Sequence, residues 1–381
     1  MNVDDRTSNI FIDPDFRLSI FHIRKNMVEF PIFKTKIENS PRFDLADPKQ
    51  REEYFKLKAG LEIDKMKKYL DGGNTFIAYL LGKKNAGKGT YSKMFGEIFG
   101  KDKVFHLSIG DMIRGVDKEL KSSDQREDLI KFIRENYRGW MSPDEIIDTL
   151  EGRSTAKLLP TELILAIVKR EIAKNKGKVV FIDGFPRGLD QVAFSLFFRD
   201  LVDYRSDPDV FILLNVPDMA IEERIKWRRI CPNCNTSRNL KLLPTKSIGY
   251  EEGKKEFYLN CDNPECKNVK MVTKEGDELG LDPIRERIKI DQELLEKASQ
   301  LYGVPKVFIR NAIPIDKADE YVNDYEITPQ YEYTWNAATK KVDVVENPWT
   351  IIDDHGTPSF SLLAPPAVLS LVKQLVAALG L

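Results

Sequence analysis

No apolar run reaches the roughly 18 residues that a membrane-spanning helix needs. Net charge is also nearly absent. The 59 Lys and Arg are offset by 60 Asp and Glu, so no global field draws the chain to nucleic acid or to an acidic membrane. Cysteine is scarce and confined: there are four, all between positions 231 and 266, which argues against a disulfide framework and for a metal site. The start, Met1-Asn-Val-Asp-Asp-Arg6, is polar and acidic where a signal segment would be basic and then apolar. These absences together set the expectation of a cytoplasmic protein that meets neither membrane nor nucleic acid. What remains is ordinary for a soluble protein with a real core, 42% hydrophobic residues, at a length that suits two or three units.

Short apolar runs of β type occur at 75–81, 104–107, 178–182, 210–214 and 306–309, separated by helical patterns. Continuous apolar strands alternating with helices predict an α/β fold built on a buried, doubly wound parallel five-stranded sheet. Two segments leave this alternation: a helical one over 111–176, and one over 229–280 that is rich in Cys, Lys and Gly. Residues 1–70 read as an N-terminal extension, 71–322 as the core, and 323–381 as a weakly patterned C-terminal extension. The last of these closes on an amphipathic helix. Val368, Leu371, Val372, Leu375 and Leu379 share one face of it, and its polar face holds only Ser370, Lys373 and Gln374. Such a helix is expected to dock on the protein's own body, ahead of a membrane or a partner.

The stretch Gly82-Lys-Lys-Asn-Ala-Gly-Lys-Gly-Thr90 follows the first strand and opens a helix. Strand, glycine loop and helix are the context that a phosphate-binding loop requires, whereas a plain glycine-rich turn needs neither the Lys nor the spacing. Backbone N–H groups of such a loop converge on phosphate oxygens, and the helix N-terminus adds positive potential. Gly82 and Gly87 allow the sharp turn and close approach, Lys88 supplies a point charge, and Thr90 a hydroxyl. Lys83 and Lys84 add charge, and Asn85 tolerates a left-handed turn better than other non-glycine residues. A second signal is Val179-Val-Phe-Ile-Asp183-Gly-Phe-Pro-Arg187. Asp183 ends a buried strand on the ligand side of the sheet, where a carboxylate can hold Mg²⁺ beside phosphates. Arg187 offers a fork of donors to a phosphate.

Asp183-Gly-Phe-Pro-Arg-Gly-Leu-Asp-Gln191 resembles the adenylate kinase family, whose pattern is DGFPR followed four residues later by Gln. Ser108-Ile-Gly-Asp-Met-Ile-Arg114, Ala156-Lys-Leu-Leu-Pro-Thr-Glu-Leu163, Val216-Pro-Asp…Arg224-Ile-Lys-Trp-Arg228 and Ile284-Arg-Glu-Arg-Ile288 resemble further motifs of that family, in the same order. The resemblance spans about 75–320 and implies a P-loop fold with a helical acceptor-binding insertion and a lid. It implies phosphoryl transfer from Mg-ATP to AMP, giving two ADP, in a protein that is a monomer unless the extensions mediate oligomerisation. Residues 82–90 with Arg224 and Arg228 would hold ATP. Ile109, Arg114, Leu159, Gly184, Arg187, Gln191 and Arg285 would hold AMP. Lys88, Asp183, Arg187, Arg224, Arg228 and Arg285 would serve the transfer itself. Arg224 and Arg228, four residues apart, are expected on one helical face, as a phosphate-facing pair or an ordinary solvated one would be.

Cys231-Pro-Asn-Cys234 and Cys261-Asp-Asn-Pro-Glu-Cys266 are two close pairs, the spacing of a structural Cys₄ zinc site. They lie where some adenylate kinases carry a zinc-bearing lid. The chain departs from the family in having about 20 more residues between Arg114 and Ala156 than short members have, among them Gly139-Trp-Met-Ser-Pro-Asp-Glu145, which superficially mimics the acceptor motif. It also departs at single positions. Lys84-Asn85 replaces the usual Pro-Gly, Ala156 a Gly, and Lys274 a lid arginine; Ile109 stands at a position usually Thr in adenylate kinases. The Ile matches neither adenylate kinases nor uridylate and cytidylate kinases, so another monophosphate is the alternative acceptor. A weakly active nucleotide-binding module whose extensions bind a partner is the alternative of another class.

Overall fold

The computed structural model describes residues 30–152, 159–186, 207–234, 236–274 and 276–381. Five parallel strands form the central sheet: β1 (Ile77–Gly82), β2 (Val104–Ser108), β3 (Val179–Asp183), β4 (Asp209–Asn215) and, after the lid strands β5–β8 described below, β9 (Lys306–Arg310). Their spatial order is β2-β3-β1-β4-β9, so β1 lies at the centre, with Leu80 opposite both Asp183 and Ile212. The five apolar runs expected from sequence are these five strands, displaced by no more than two residues at either end.

Alternation along each strand sends side chains to two separate layers. Ile77, Tyr79 and Leu81 join Leu107, Val180, Ile182, Phe211 and Leu213 in one core, together with the helical insertion and the helix Arg285–Gln300. Phe76, Ala78 and Leu80 join Phe181, Val210, Ile212 and Val307 in the other. That second layer is covered by α1 (Pro48–Asp71), α2 (Lys88–Phe99) and the tail helix Ala364–Ala378. The insertion holds α3 (Ile109–Leu120), α4 (Ser123–Asn136), α5 (Pro143–Gly152) and α6 (Thr161–Lys174). The stretch 139–145, which superficially mimics an acceptor motif, leads into the first turn of α5 at Pro143. Ser142 and Glu145 cap it reciprocally, Ser142 N–H donating to Glu145 at 2.7 Å and Glu145 N–H to Ser142 Oγ at 3.2 Å.

Both terminal segments enter the core. In α1, Asp47 caps the first turn by accepting from Lys49 N–H at 2.9 Å, and Pro48 needs no donor there. Lys58 of this helix is buried against Glu326 at 2.8 Å, and Glu326 also accepts from Thr35 and Tyr54. With Asn323 N–H donating at 2.7 Å from its own segment, each oxygen of this buried carboxylate has two donors, three of the four from the N-terminal segment. The tail helix docks on the body through Val368, Leu371, Val372 and Leu375, all buried. Gln374, read from sequence as part of a polar face, is also buried. Its amide accepts from Phe308 N–H at 2.9 Å and donates to Phe308 O at 2.8 Å, closing the open edge of β9 as a further strand would.

The remainder of the C-terminal segment is strand-rich, contrary to its weak patterning. Its β13 (Thr350–Ile352) and β14 (Pro358–Ser361) join β10 (Ala312–Pro314), which precedes the segment, in a small antiparallel sheet, and β11 (Pro329–Asn336) pairs with β12 (Lys341–Pro348). The hairpin was hidden because its residues are largely exposed, so runs such as Lys341-Val-Asp-Val-Val-Glu346 carry charge where a buried strand would be apolar. Deleting a fully buried leucine costs about 3 kcal/mol, so Leu375→Ala is expected to lower the urea midpoint accordingly. An unchanged midpoint would show that the tail helix is no part of the core.

Candidate active site

The carboxyl edge of the sheet gathers the groups singled out above. β1 ends at Gly82, where a Cβ would meet the Leu214 side chain and carbonyl at 3.0 Å, so glycine lets β1 and β4 close up before the loop turns. Asn85 takes φ 66° and Gly87 φ 95°, the left-handed conformations that the loop demands, and Gly87 leads directly into α2. Lys88 curls back over the loop, donating to Gly82 O at 2.8 Å and Lys83 O at 3.1 Å. Its ammonium lies 3.6 Å from Asp183, the last residue of β3. Thr90 and Gly89 are exposed on the first turn of α2, and Ala86 is buried beneath the loop. Behind them His106, unmarked in the sequence reading, hydrogen-bonds Ser92 at 2.8 Å. Burial lowers its pKa, opposed by the nearby carboxylates Asp183 and Asp111.

Two of the loop lysines behave differently. Lys83 was expected to add charge beside phosphates, but its ammonium is buried against Asp218 and Asp354, away from the loop's cradle. What it can offer a phosphate is its backbone. Lys84 is exposed, and its N–H donates to the buried Asp291 at 2.9 Å. Partial desolvation and the neighbouring cations Lys274, Arg287 and Arg228 lower its pKa. A neighbouring anion would relieve that repulsion.

Ser108 ends β2 and caps α3, accepting from Asp111 N–H at 3.3 Å. Arg114 stands on α3, largely exposed and paired with Asp111. Ile109, expected to face an acceptor base, is instead fully buried among Leu107, Met112 and other residues of the core, as an apolar branched side chain prefers. Leu159 is buried in the same core, and Gly184 has φ 88° just after Asp183. Arg187, Gln191 and Ala156 lie outside the described residues.

The arginines are not arranged as expected. The helix that carries Arg224 runs Asp218–Lys226 and stops at Trp227, so Arg224 and Arg228 do not share a helical face. Arg228 opens the lid strand β5 (Arg228–Ile230), which pairs with β6 (Ser237–Asn239), and its Nε donates to the buried Asp277 at 2.6 Å. Arg224 is half-buried and donates to Asn311 at 2.6 Å; burial lowers its pKa. Arg285 is exposed and pairs with Asp282 at 2.8 Å, while Arg287, two residues on, pairs at 2.7 Å with the same Asp291 that receives Lys84. Arg287 is therefore the arginine of this helix nearest the phosphate loop. The i, i+4 pairing with Asp291 was the available signal for it.

In the lid, β7 (Ile248–Glu251) and β8 (Glu256–Leu259) form a second hairpin. The sulfurs of Cys231, Cys234, Cys261 and Cys266 all lie within 4.8 Å of one another, with Cys234 and Cys261 3.7 Å apart. A tetrahedron with metal–sulfur bonds of about 2.3 Å has edges of about 3.8 Å, so this donor set fits a zinc ion. Hydrogen bonding with Thr236 pushes the Cys234 thiol down to about 6, toward the thiolate that a metal binds.

No family model matches the chain. Individual relatives do. An adenylate kinase of Thermotoga petrophila is 33% identical over 229 residues, covering 59% of this chain and 86% of that protein. One from Clostridium beijerinckii is 30% identical over 226 residues, covering 59% and 85%. One from Staphylococcus epidermidis is 31% identical over 195 residues, covering 50% and 78%. Identity at this level over most of a relative's length, on a five-stranded parallel sheet with its glycine loop at the carboxyl edge, shows that the chain belongs to the adenylate kinase family and is a nucleoside monophosphate kinase.

Proposed function

We propose that the reaction is the reversible transfer of the γ-phosphoryl group of Mg-ATP to AMP, giving two ADP. One observation carries this reading. The glycine loop after β1 and the Ser108-capped helix after β2 flank Asp183 at the end of β3, so two anion-binding helix starts meet over one carboxylate. Residues 82–90 with Arg224, Arg228 and Arg287 hold ATP; Arg114, Arg187 and Gln191 hold AMP, with 111–176 as the acceptor-binding part. A phosphate oxygen of AMP attacks the γ-phosphorus as the bond to the β–γ bridging oxygen breaks. The attacking oxygen is already anionic, so no general base is required. The barrier is the repulsion between two phosphate chains, and cations placed before substrate arrives lower it. Asp183 would hold Mg²⁺, which offsets phosphate charge when bound. The segment 229–280 closes over the donor, and a zinc ion on the four cysteines would keep that small lid folded.

The burial of Ile109 favours a second reading, another monophosphate as acceptor, because it removes one side chain expected to contact the base. Coupled assays with AMP, UMP, CMP and GMP separate the two: AMP should give the highest kcat/KM, and equal rates with CMP or UMP would reject adenylate specificity. Lys88→Ala is expected to lower kcat at least about a hundredfold. Metal analysis should find about one zinc per chain, and a chelator should make 229–280 protease-sensitive while the central sheet stays intact. Less than about half an equivalent of zinc would argue against a structural metal in the lid.

A further inference from the structure

Lys83 is the phosphate-loop residue whose side chain leaves the cradle. Its side chain is only 3% exposed, and its ammonium has two carboxylate partners from different parts of the chain: Asp218 at 2.7 Å and Asp354. Asp218 opens the helix Asp218–Lys226, whereas Asp354 lies in the turn between β13 and β14, in the C-terminal segment. The other oxygen of Asp354 accepts from Asp218 N–H at 2.8 Å, so one carboxylate ties the loop lysine to the start of that helix.

The turn that presents Asp354 is itself held. Asp353 accepts from His355 N–H and Thr357 N–H, both at 2.9 Å, and pairs at 3.1 Å with Arg310, the last residue of β9. On the same segment, the buried Trp349 and Ile351 pack in one cluster with Ala86 of the loop and with Ala220 and Ile221 of the helix. Lys83 therefore does two things at once. Its carbonyl accepts from Lys88, and its side chain is anchored outside the loop.

We propose that Asp354 is a positioning residue for the donor nucleotide: by anchoring Lys83 from the C-terminal segment, it fixes the phosphate loop in the shape that receives ATP. This rests on the donor-site reading given above. A buried ammonium must keep its partners. Without Asp354 the remaining one, Asp218, is half-exposed, and the lysine would turn toward water or toward the phosphates, carrying with it the carbonyl that holds Lys88. A misplacement of this kind weakens the step that uses the loop and leaves the acceptor side, on β2 and α3, as it was.

The test is steady-state kinetics with ATP and AMP varied separately, on full-length wild type, Asp354→Asn, Lys83→Met, the double variant and Asp354→Glu. Each of the first two single variants should raise KM for ATP about tenfold and leave KM for AMP within about twofold. The double variant should be no worse than either, because both remove the same contact. Asp354→Glu, which keeps the charge, should recover most of the loss. A purely structural role would lower the active fraction, and hence kcat, without separating the two KM values. Should Asp354→Asn not fold, Lys83→Met alone carries the same comparison. The proposal is overturned by a wild-type KM for ATP in either folded single variant, by equal rises for both substrates, or by effects that multiply in the double variant. If wild type turns over AMP with ATP and Asp354→Asn does so unchanged, only the role of Asp354 fails. A wild type that binds no ATP ends the donor-site reading and this proposal together.

Discussion

The grip on β1 from both sides is what the rest of the molecule depends on. β3 pairs with it along four residues and β4 along six, so its carboxyl end is placed to within the tolerance of a hydrogen-bonded ladder. The loop that follows inherits that placement through Gly82, pressed against Leu214. Asp183 inherits it from the other side, through its position opposite Leu80. The start of α3 follows β2, whose Ser108 lies opposite Asp183, so loop, carboxylate and helix start are set by the adjoining ladders of β2, β3, β1 and β4. An open parallel sheet places ligands at its carboxyl edge where connections diverge to opposite faces.

A site built to meet two polyanions must be stable before they arrive. Here the principal cations already have carboxylate partners: Lys88 with Asp183, Arg228 with Asp277, Arg287 with Asp291, Arg114 with Asp111 and Arg285 with Asp282. Such pairs limit the self-repulsion that Lys84 feels from its basic neighbours. The pairs differ in depth. Asp277 and Asp291 are buried and constrain their arginines, whereas those of Arg114 and Arg285 are open to solvent and contribute little to stability.

The two terminal segments are tied to each other and to the site. The buried Lys58–Glu326 pair joins them, the tail helix seals the edge of β9, and the turn at Asp353–Asp354 reaches the loop itself. The β11–β12 hairpin reaches the lid, where Trp335 stacks on Tyr250 with ring centres 5.0 Å apart and Tyr331 N–H donates to Lys241 O at 2.7 Å. The C-terminal segment is therefore in contact with both the phosphate loop and the cysteine lid.

The strands of the central sheet, the phosphate loop, the two cysteine pairs and the docking of the tail helix were legible from sequence alone, because each is a local pattern: apolar runs, glycine spacing, ligand spacing and helical periodicity. Asn85 in a left-handed turn belongs with them, since backbone preference is a property of the residue itself. The partner of each charge was not legible. Arg224 and Arg228 looked equivalent until the helix stopped at Lys226, and Arg285 was given a role in the transfer while Arg287, given none, is the one that meets the buried Asp291. Lys83 read as a phosphate lysine, yet its partners lie 135 and 271 positions away. Ile109 read as a base contact and is core. The sequence by itself determined where phosphate can bind and where a metal can sit, because backbone conformation and ligand spacing act over a few residues. Only the tertiary structure decided which carboxylate each cation meets, because charge pairing acts through space between segments that the chain order keeps far apart.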